Sequence, residues 1–370
     1  MKHLALRTLL LAMSIAASIT PAEALTANHW ELQVSALDAD LSPDDRLVAI
    51  TTQTPEKPEH GATDDNWVTL WNYVQKNEIA QARVSSASAG MRAEPCPVRF
   101  TSDGLFLVVG SGQKLDVLDA TTLKFIREIQ VPISPEYLIR EIETSPVSHI
   151  AILVADKAGI YGALFAYDLD HGRGRELMGE VTGSAVTSLA WKPDGAQFAA
   201  AMPQPCSRWG DVEVFSSASW TPVLKWSEAN VESLAFSDKK LYAVQMSFCK
   251  GVVFPRHLGI HVFDTQTKHK DKIFLPHTDI HDFVSYSNGR LLADTGTVRT
   301  NFDWLDMTSY LAEVGTHLTV WNTATGSVVY SSDLLELHGG LVYPSGRIPI
   351  SRTGKMAIVL DAFVGLFQLP

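Results

Sequence analysis

The feature that most constrains how this chain folds is a short sequence pattern that occurs seven times. In each copy, a stretch of alternating apolar residues runs into a tight polar turn and then into a second, more apolar stretch. The clearest turns are residues 100–104, Phe-Thr-Ser-Asp-Gly, and residues 191–195, Trp-Lys-Pro-Asp-Gly. Asp-Gly pairs tolerate positive φ angles and are typical of β-hairpin turns. Each copy is therefore predicted to begin with a β-hairpin.

Apolar residues keep a constant position relative to the seven turns. One lies two residues before the start of each turn motif: Ala39, Val98, Ile142, Leu189, Leu234, Val284 and Ile348. A period of two is expected where one face of a strand is buried. A third strand is predicted after each hairpin, at residues 67–73, 114–119, 164–168, 212–216, 259–264, 317–322 and 363–369. With a fourth strand after most of these, the pattern predicts an all-β fold, a seven-bladed β-propeller with four-stranded antiparallel blades.

The ends of two third strands and the start of one repeat resemble a known family, the WD-repeat β-propellers. Trp71-Asn72 and Trp321-Asn322 stand where that family has its Trp-Asp dipeptide, and residues 276–279, Pro-His-Thr-Asp, are similar to its Gly-His-Thr-Asp. The resemblance covers nearly all of residues 29–370 and implies a propeller fold. A single domain is expected over residues 25–370.

The two ends of the chain complement each other. The last copy has no fourth strand, and a spare strand at residues 29–34 precedes the first copy. A ring left open would expose sheet edges. Residues 29–34 are therefore predicted to supply the outer strand of the seventh blade and to close the ring.

The N-terminus has the features of a secretory signal. Lys2 and Arg7 flank a short basic region, residues 8–19 are apolar, and small residues precede a cleavage point after Ala24. This pattern predicts a signal peptide over residues 1–24 and a secreted or periplasmic protein.

Three cysteines follow the predicted signal, and an oxidising compartment permits one disulfide among them. Cys206 and Cys249 lie in predicted connections of neighbouring blades, so a Cys206–Cys249 bridge is expected, with Cys96 left as a thiol. Three reduced cysteines are the alternative.

Composition limits the partners of the chain. Hydrophobic residues make up 46% of it, and 41 acidic residues against 30 basic ones give a net charge of −11. This charge repels phosphate backbones, so nucleic acid is a poor candidate partner. After removal of the signal, no membrane segment is expected.

Predicted long connections indicate where function lies. They occupy residues 55–66, 203–210, 248–258, 298–315 and 335–346. All of these fall at the end of the propeller shared by second-to-third and fourth-to-first connections, which we call the long-loop face. Long loops on a rigid scaffold are often functional. The predicted protein-binding residues there are Trp209, Phe254, Arg256, Phe302, Trp304 and Tyr310. The alternative is that Trp304 and Leu305 fold down and plug the central channel, and the same alternative applies to Trp209, Phe254 and Arg256.

Two classes of function fit these patterns. The first is a monomeric, non-catalytic scaffold that binds a protein or another ligand through the long-loop face. The second is an enzyme, similar to a hydrolase, a lactonase or a dehydrogenase subunit, that acts at an acidic central channel. Its channel carboxylates would come from first strands: Asp38, Asp40, Glu141, Glu143, Glu232 and Asp282. The chain has no Gly-X-Ser-X-Gly motif and no phosphate-binding loop, which favours the first class.

A group of potential metal ligands is weaker evidence. It contains His257, His261, His277, His281, Cys249 and Asp279. No Cys-X-X-Cys or His-Glu-X-X-His motif accompanies these residues, and the resemblance to WD repeats gives His277 a structural role. No metal or cofactor is expected.

Overall fold

The computed structural model shows a chain built from antiparallel β-strands. It describes residues 30–32, 34, 36–53, 66–84, 95–157, 161–182, 186–203, 210–227, 231–247, 256–274, 280–287, 290–303, 308–334, 350–351, 353, 356–360 and 364–368. Within these residues no helix has the length and apolar character needed to cross a membrane. The predicted signal peptide, Cys206, Cys249, Trp209, Phe254 and Trp304 lie outside the described residues.

Strands that follow one another in the chain form the first three sheets, each with four strands in sequence order. Sheet 1 contains β2 (Asp38–Leu41), β3 (Leu47–Thr52), β4 (Trp67–Asn72) and β5 (Asn77–Arg83). Sheet 2 contains β6 (Val98–Phe100), β7 (Phe106–Ser111), β8 (Lys114–Asp119) and β9 (Phe125–Gln130). Sheet 3 contains β10 (Leu138–Thr144), β11 (Ile150–Lys157), β12 (Tyr161–Asp168) and β13 (Arg173–Thr182).

The next three sheets repeat this order. Sheet 4 contains β14 (Ser188–Trp191), β15 (Gln197–Pro203), β16 (Gly210–Ser216) and β17 (Pro222–Trp226). Sheet 5 contains β18 (Val231–Phe236), β19 (Lys240–Ser247), β20 (Arg256–Asp264) and β21 (Lys270–Phe274). Sheet 6 contains β22 (Ile280–Ser287), β23 (Arg290–Asp303), β24 (Thr308–Asn322) and β25 (Val328–Leu334).

Sheet 7 joins the two ends of the chain. Its described strands are β26 (Met356–Leu360), β27 (Val364–Gln368) and β1 (Trp30–Leu32), with β1 at the outer edge. β1 pairs antiparallel with β27, and Trp30 stands opposite Leu366. The predicted pairing of this N-terminal segment with the last predicted strand is therefore observed for residues 30–32.

The hairpin turns predicted from Asp-Gly pairs are confirmed. Gly104 and Gly195 adopt φ angles of +72° and +69° in the turns between the first and second strands of sheets 2 and 4. These angles favour glycine because a side chain would clash with the backbone there. In sheet 2, the Thr101 hydroxyl donates to Asp103 at 2.7 Å and accepts from the Phe106 N–H at 3.0 Å, which fixes the turn.

The hydrophobic core lies between consecutive sheets. In the described residues each of five apolar clusters is shared by two neighbours, from sheets 1 and 2 through sheets 5 and 6. Between sheets 2 and 3, for example, Val117 of β8 clusters with Leu153 of β11 and Phe165 of β12. Successive residues of a strand point to opposite faces, so consecutive apolar residues such as Leu107, Val108 and Val109 supply both faces of a sheet with core contacts.

A β-bulge recurs at one position in the outer strand of five sheets. The register slips by one residue just after the pairs Leu70–Ala80, Val117–Arg127, Val214–Leu224, Val262–Lys272 and Val320–Tyr330. Four of the bulged residues are apolar yet 42–44% exposed: Ile79, Ile126, Val223 and Val329. Bulges twist the edge of a sheet and hinder its pairing with other chains, so they protect these outer strands.

Candidate functional site

Four of the six carboxylates predicted to line an acidic channel are buried instead. Asp38, Asp40, Glu141 and Glu143 lie on the first strands β2 and β10, and each is at most 9% exposed. The expectation that these four groups face a solvated channel is therefore wrong. The side chains of Glu232 and Asp282 are not among those that the structure describes.

Three of these carboxylates, and the Ser188 hydroxyl of β14, accept hydrogen bonds from the backbone of the next sheet. A side-chain oxygen of one first strand accepts from a backbone N–H of the following first strand, which satisfies both partners away from water. The pairs are Asp38 with Val98 at 3.0 Å, Asp40 with Phe100 at 2.9 Å, Glu141 with Leu189 at 3.1 Å and Ser188 with Leu234 at 3.1 Å. The first strands of sheets 1 and 2, and of sheets 3, 4 and 5, are tied together in this way.

Arg99 of β6 links sheets 1, 2 and 3. Its side chain is completely buried; Nη1 donates to Asp38 at 2.6 Å, and Nε donates to Glu143 at 3.3 Å. Burial alone would lower the pKa of Arg99, but the negative charges of Asp38, Glu143 and Asp40 raise it above its usual value. The guanidinium is therefore charged. Within the described residues, its Nη2 atom has no hydrogen-bond partner.

Sequence reasoning missed Arg99, although a signal for it exists. When the repeats are aligned on their turns, Arg99 takes the position that Asp40 has in sheet 1 and Glu143 in sheet 3. A basic residue between two acidic ones on neighbouring first strands predicts an ion pair. The period-two pattern places the acids on first strands, but it does not by itself pair them with a base.

The structure places three of the six predicted binding residues in strands. Arg256 begins β20 and pairs with Ser247, Phe302 of β23 pairs with Ser309, and Tyr310 of β24 pairs with Asn301. Phe302 and Tyr310 thus belong to adjacent pairs of one hairpin. Trp209, Phe254 and Trp304 fall outside the described residues, as do both cysteines of the expected disulfide, whereas Cys96 is a buried thiol.

The predicted loop over residues 298–315 is a hairpin extension, and the loop prediction is wrong here. β23 and β24 continue to pair from Val298–Glu313 to Asp303–Thr308, beyond the pairs that either strand makes with β22 or β25. We call residues 297–303 and 308–315 the β-arm. Alternating β-branched and aromatic residues in this stretch favour strands, and at about 3.3 Å per residue the arm extends roughly 20 Å.

His261, one of the residues in the potential metal group, is buried in β20. It is 3% exposed, and neither ring nitrogen has a hydrogen-bond partner among the described residues. Burial, and to a lesser extent the positive charge of Lys270, lowers the pKa of His261 to about 4. Within the described part of the chain, no three His, Cys, Asp or Glu side chains are arranged to hold a metal ion.

His261 is expected to make the protein sensitive to acid. Its folded pKa of about 4 lies below the ordinary 6.5, so the unfolded state binds the proton first as the pH falls. Stability is therefore lost from about pH 6.5 down to pH 4, by about 3 kcal/mol in total. In His261→Leu this loss should disappear from unfolding curves measured across that range. An unchanged acid limb in the variant would contradict the assignment.

Known proteins resemble this chain in fold. No protein-family model matches it, and no curated protein matches it in sequence. A chain in the mitotic checkpoint complex matches with a TM-score of 0.62 and 13% identity over 95% of this chain and 94% of that one. Hydrazine synthase of Kuenenia stuttgartiensis matches with a TM-score of 0.62 and 16% identity over 95% and 99%.

The Pan2 WD40 domain of Neurospora crassa matches with a TM-score of 0.61 and 13% identity, over 91% of this chain and 90% of that one. At such identities, similarity of structure carries no information about activity. The resemblance predicted from Trp71-Asn72 and Trp321-Asn322 is thus confirmed at the level of the fold. The chain has the fold of a WD40-like β-propeller.

Proposed function

We propose that this chain is an exported, seven-bladed β-propeller that binds a protein partner through its long-loop face and catalyses no reaction. The observation that carries the proposal is the β-arm, which extends sheet 6 at the end where β23 joins β24. A rigid array of sheets that projects one hairpin is suited to recognition, because the scaffold holds the contact residues in place.

A closed ring is supported by contacts between the last sheet and the first. The ring of Trp30 in sheet 7 lies 5.7 Å from that of Trp71 in sheet 1. On the turn that precedes β26, the Thr353 hydroxyl donates to Asp45 of sheet 1 at 2.6 Å. A closed ring of seven blades requires contact between sheets 7 and 1, so these contacts support the proposal.

The composition of the β-arm supports a protein partner. It contains Phe302 and Tyr310 at adjacent pairs, and aromatic residues are enriched where protein interfaces gain most of their binding energy. Arg256, Trp209, Phe254 and Trp304 complete the proposed surface.

Export is supported by the N-terminal sequence. Residues 1–24 combine basic, apolar and small residues in the order of a signal peptide. An oxidising destination would also permit the Cys206–Cys249 disulfide.

Removing the β-arm tests the proposed function. Gly296 and Thr316 are paired, so residues 297–315 can be replaced by an Asn-Gly turn at that point. We expect the variant to capture at least about 10-fold less partner than the wild type in cross-linking and affinity capture from the producing cells, because the arm carries the central contacts. Thermal unfolding of the variant should remain cooperative.

Leu105→Ala is the matched control, since Leu105 is 57% exposed in a turn at the opposite end of the sheets. It should capture the same partner in wild-type yield. The variants Trp304→Ala and Arg256→Ala then measure how much each of these two residues contributes to capture of the partner. If the armless and wild-type proteins captured equal amounts of partner, the proposal that the long-loop face is the binding site would be wrong.

A further inference from the structure

A histidine joins sheets 2 and 3 at the end opposite the long-loop face. His149 precedes β11, and both nitrogens of its ring contact carboxylates. Nε2 lies 2.6 Å from Asp103 in the turn between β6 and β7 of sheet 2. Nδ1 lies 2.8 Å from Asp170 in the turn between β12 and β13 of sheet 3. One imidazole therefore connects the turns of two sheets.

The surroundings hold the ring in this place. The Leu169 N–H donates to the His149 carbonyl oxygen at 2.9 Å, which fixes the backbone. The ring of Phe106 meets the imidazole edge to face, with centroids 4.9 Å apart. The His149 side chain is 22% exposed, so it is partly shielded from water but remains open to protons.

Two hydrogen bonds to carboxylates require the doubly protonated imidazole. A carboxylate only accepts hydrogen bonds, whereas a neutral imidazole has one N–H and presents a lone pair on its other nitrogen. Loss of the proton therefore turns one of the two contacts from attraction into repulsion. Asp170 belongs to the same sheet as His149, so loss of the bond to Asp103 is the change that separates the sheets.

Other charged groups among the described residues near this bridge lie on the β12–β13 turn and on β9. On the β12–β13 turn, the Nδ1 atom of His171 lies 2.8 Å from a carboxylate oxygen of Asp168. The side chain of Arg127 in β9 lies close to Gly172 of the same turn. Burial lowers the pKa of His149, but its hydrogen bonds to Asp103 and Asp170 and their negative charges outweigh this and raise the pKa above its usual value. Burial raises the pKa of Asp103, but the hydrogen bonds from His149, the Leu105 N–H and Thr101, together with the positive charge of His149, outweigh burial and lower it.

We propose that His149 is a proton-operated lock on the seam between sheets 2 and 3, closed while the imidazolium bridges Asp103 and Asp170 and open once the ring becomes neutral. Since the folded pKa lies above the unfolded one, the lock contributes its full stability below the unfolded pKa. This contribution is lost as the pH rises through the folded pKa. The lock is independent of the binding surface, which lies at the other end of the sheets.

Unfolding curves from pH 5.5 to 9 test the lock, with His149→Gln, Asp103→Asn and His171→Gln as variants. In the wild type, the unfolding equilibrium constant should rise about 10-fold across the upper part of this range. His149→Gln should lose this rise, and Asp103→Asn should keep only the part that the His149–Asp170 contact within sheet 3 supplies. His171→Gln, which removes an exposed histidine with one carboxylate partner, should keep it.

A direct readout is the ¹⁵N signal of the His149 ring in histidine-labelled protein, which distinguishes imidazolium from neutral imidazole. An imidazolium at pH 7 supports the lock. A neutral ring at pH 6, or an unchanged alkaline limb in both His149→Gln and Asp103→Asn, overturns it. Asp103→Asn keeps the test decisive if His149→Gln fails to fold, because it leaves the histidine and Asp170 in place.

Discussion

Replacing Arg99 with alanine is expected to lower the free energy of unfolding by about 3–5 kcal/mol, the typical cost of removing one partner from a buried ion pair. Asp38 and Glu143 would keep their burial but lose the cation 2.6 and 3.3 Å away. Urea unfolding at pH 7 measures this loss. The effect should be large because solvent cannot reach the two carboxylates to compensate for the missing charge.

The matched control is Arg46→Ala. Arg46 also pairs with a carboxylate, Asp44 at 3.8 Å, but its side chain is 75% exposed. Its removal should change stability by about 0.5 kcal/mol or less. A second comparison combines Arg99→Met with Asp38→Asn and Glu143→Gln, which removes the charges together and should recover part of the loss. A loss below about 1 kcal/mol in Arg99→Ala would show that the buried network is not a main source of stability.

Deletion of residues 25–34 is expected to yield a protein that aggregates and unfolds without a cooperative transition. β1 provides the outer strand of sheet 7, and Trp30, only 6% exposed, would be removed from its contact with Trp71. The deletion leaves the backbone edge of β27 open, and open edges template aggregation. Light scattering and differential scanning calorimetry measure both effects.

A relocated strand is the control for this deletion. β1 runs antiparallel to β27, so the same residues can follow residue 370 through a short turn and occupy the same edge. This rearranged chain should be soluble and melt cooperatively, which separates loss of the strand from loss of the terminus. A soluble truncated protein with a wild-type transition would contradict closure by residues 30–32.

Local chemistry explains why much of the fold was predictable. Asp-Gly turns and the period-two pattern identify hairpins and buried faces without long-range information, and Gly104 and Gly195 show the expected positive φ. The position of β1 also followed from local patterns, since one strand too many at the start matches one too few at the end. These inferences depend on the backbone and its immediate neighbours.

The surroundings of the charged groups were not predictable in the same way. A period-two pattern places Asp38 and Glu141 on first strands, but it does not show that backbone N–H groups of the next sheet meet them. The sequence predicts a loop where the β-arm lies, because the pairing of residues 298–303 with residues 308–313 is seen only in the register of β23 and β24. The His149 bridge likewise depends on two aspartates, one 46 residues before and one 21 residues after His149 in the chain.

The ties between first strands have a consequence for sequence drift in this protein. Asp38, Asp40, Glu141 and Ser188 each accept from a main-chain N–H, a group that every residue except proline supplies. Where a tie uses only a main-chain donor, a substitution of the donor residue therefore demands no compensating change in the neighbouring sheet, unlike the ion pairs of Arg99. Repeats joined in this way can diverge independently while their geometry persists, which explains how copies so unlike one another still assemble side by side.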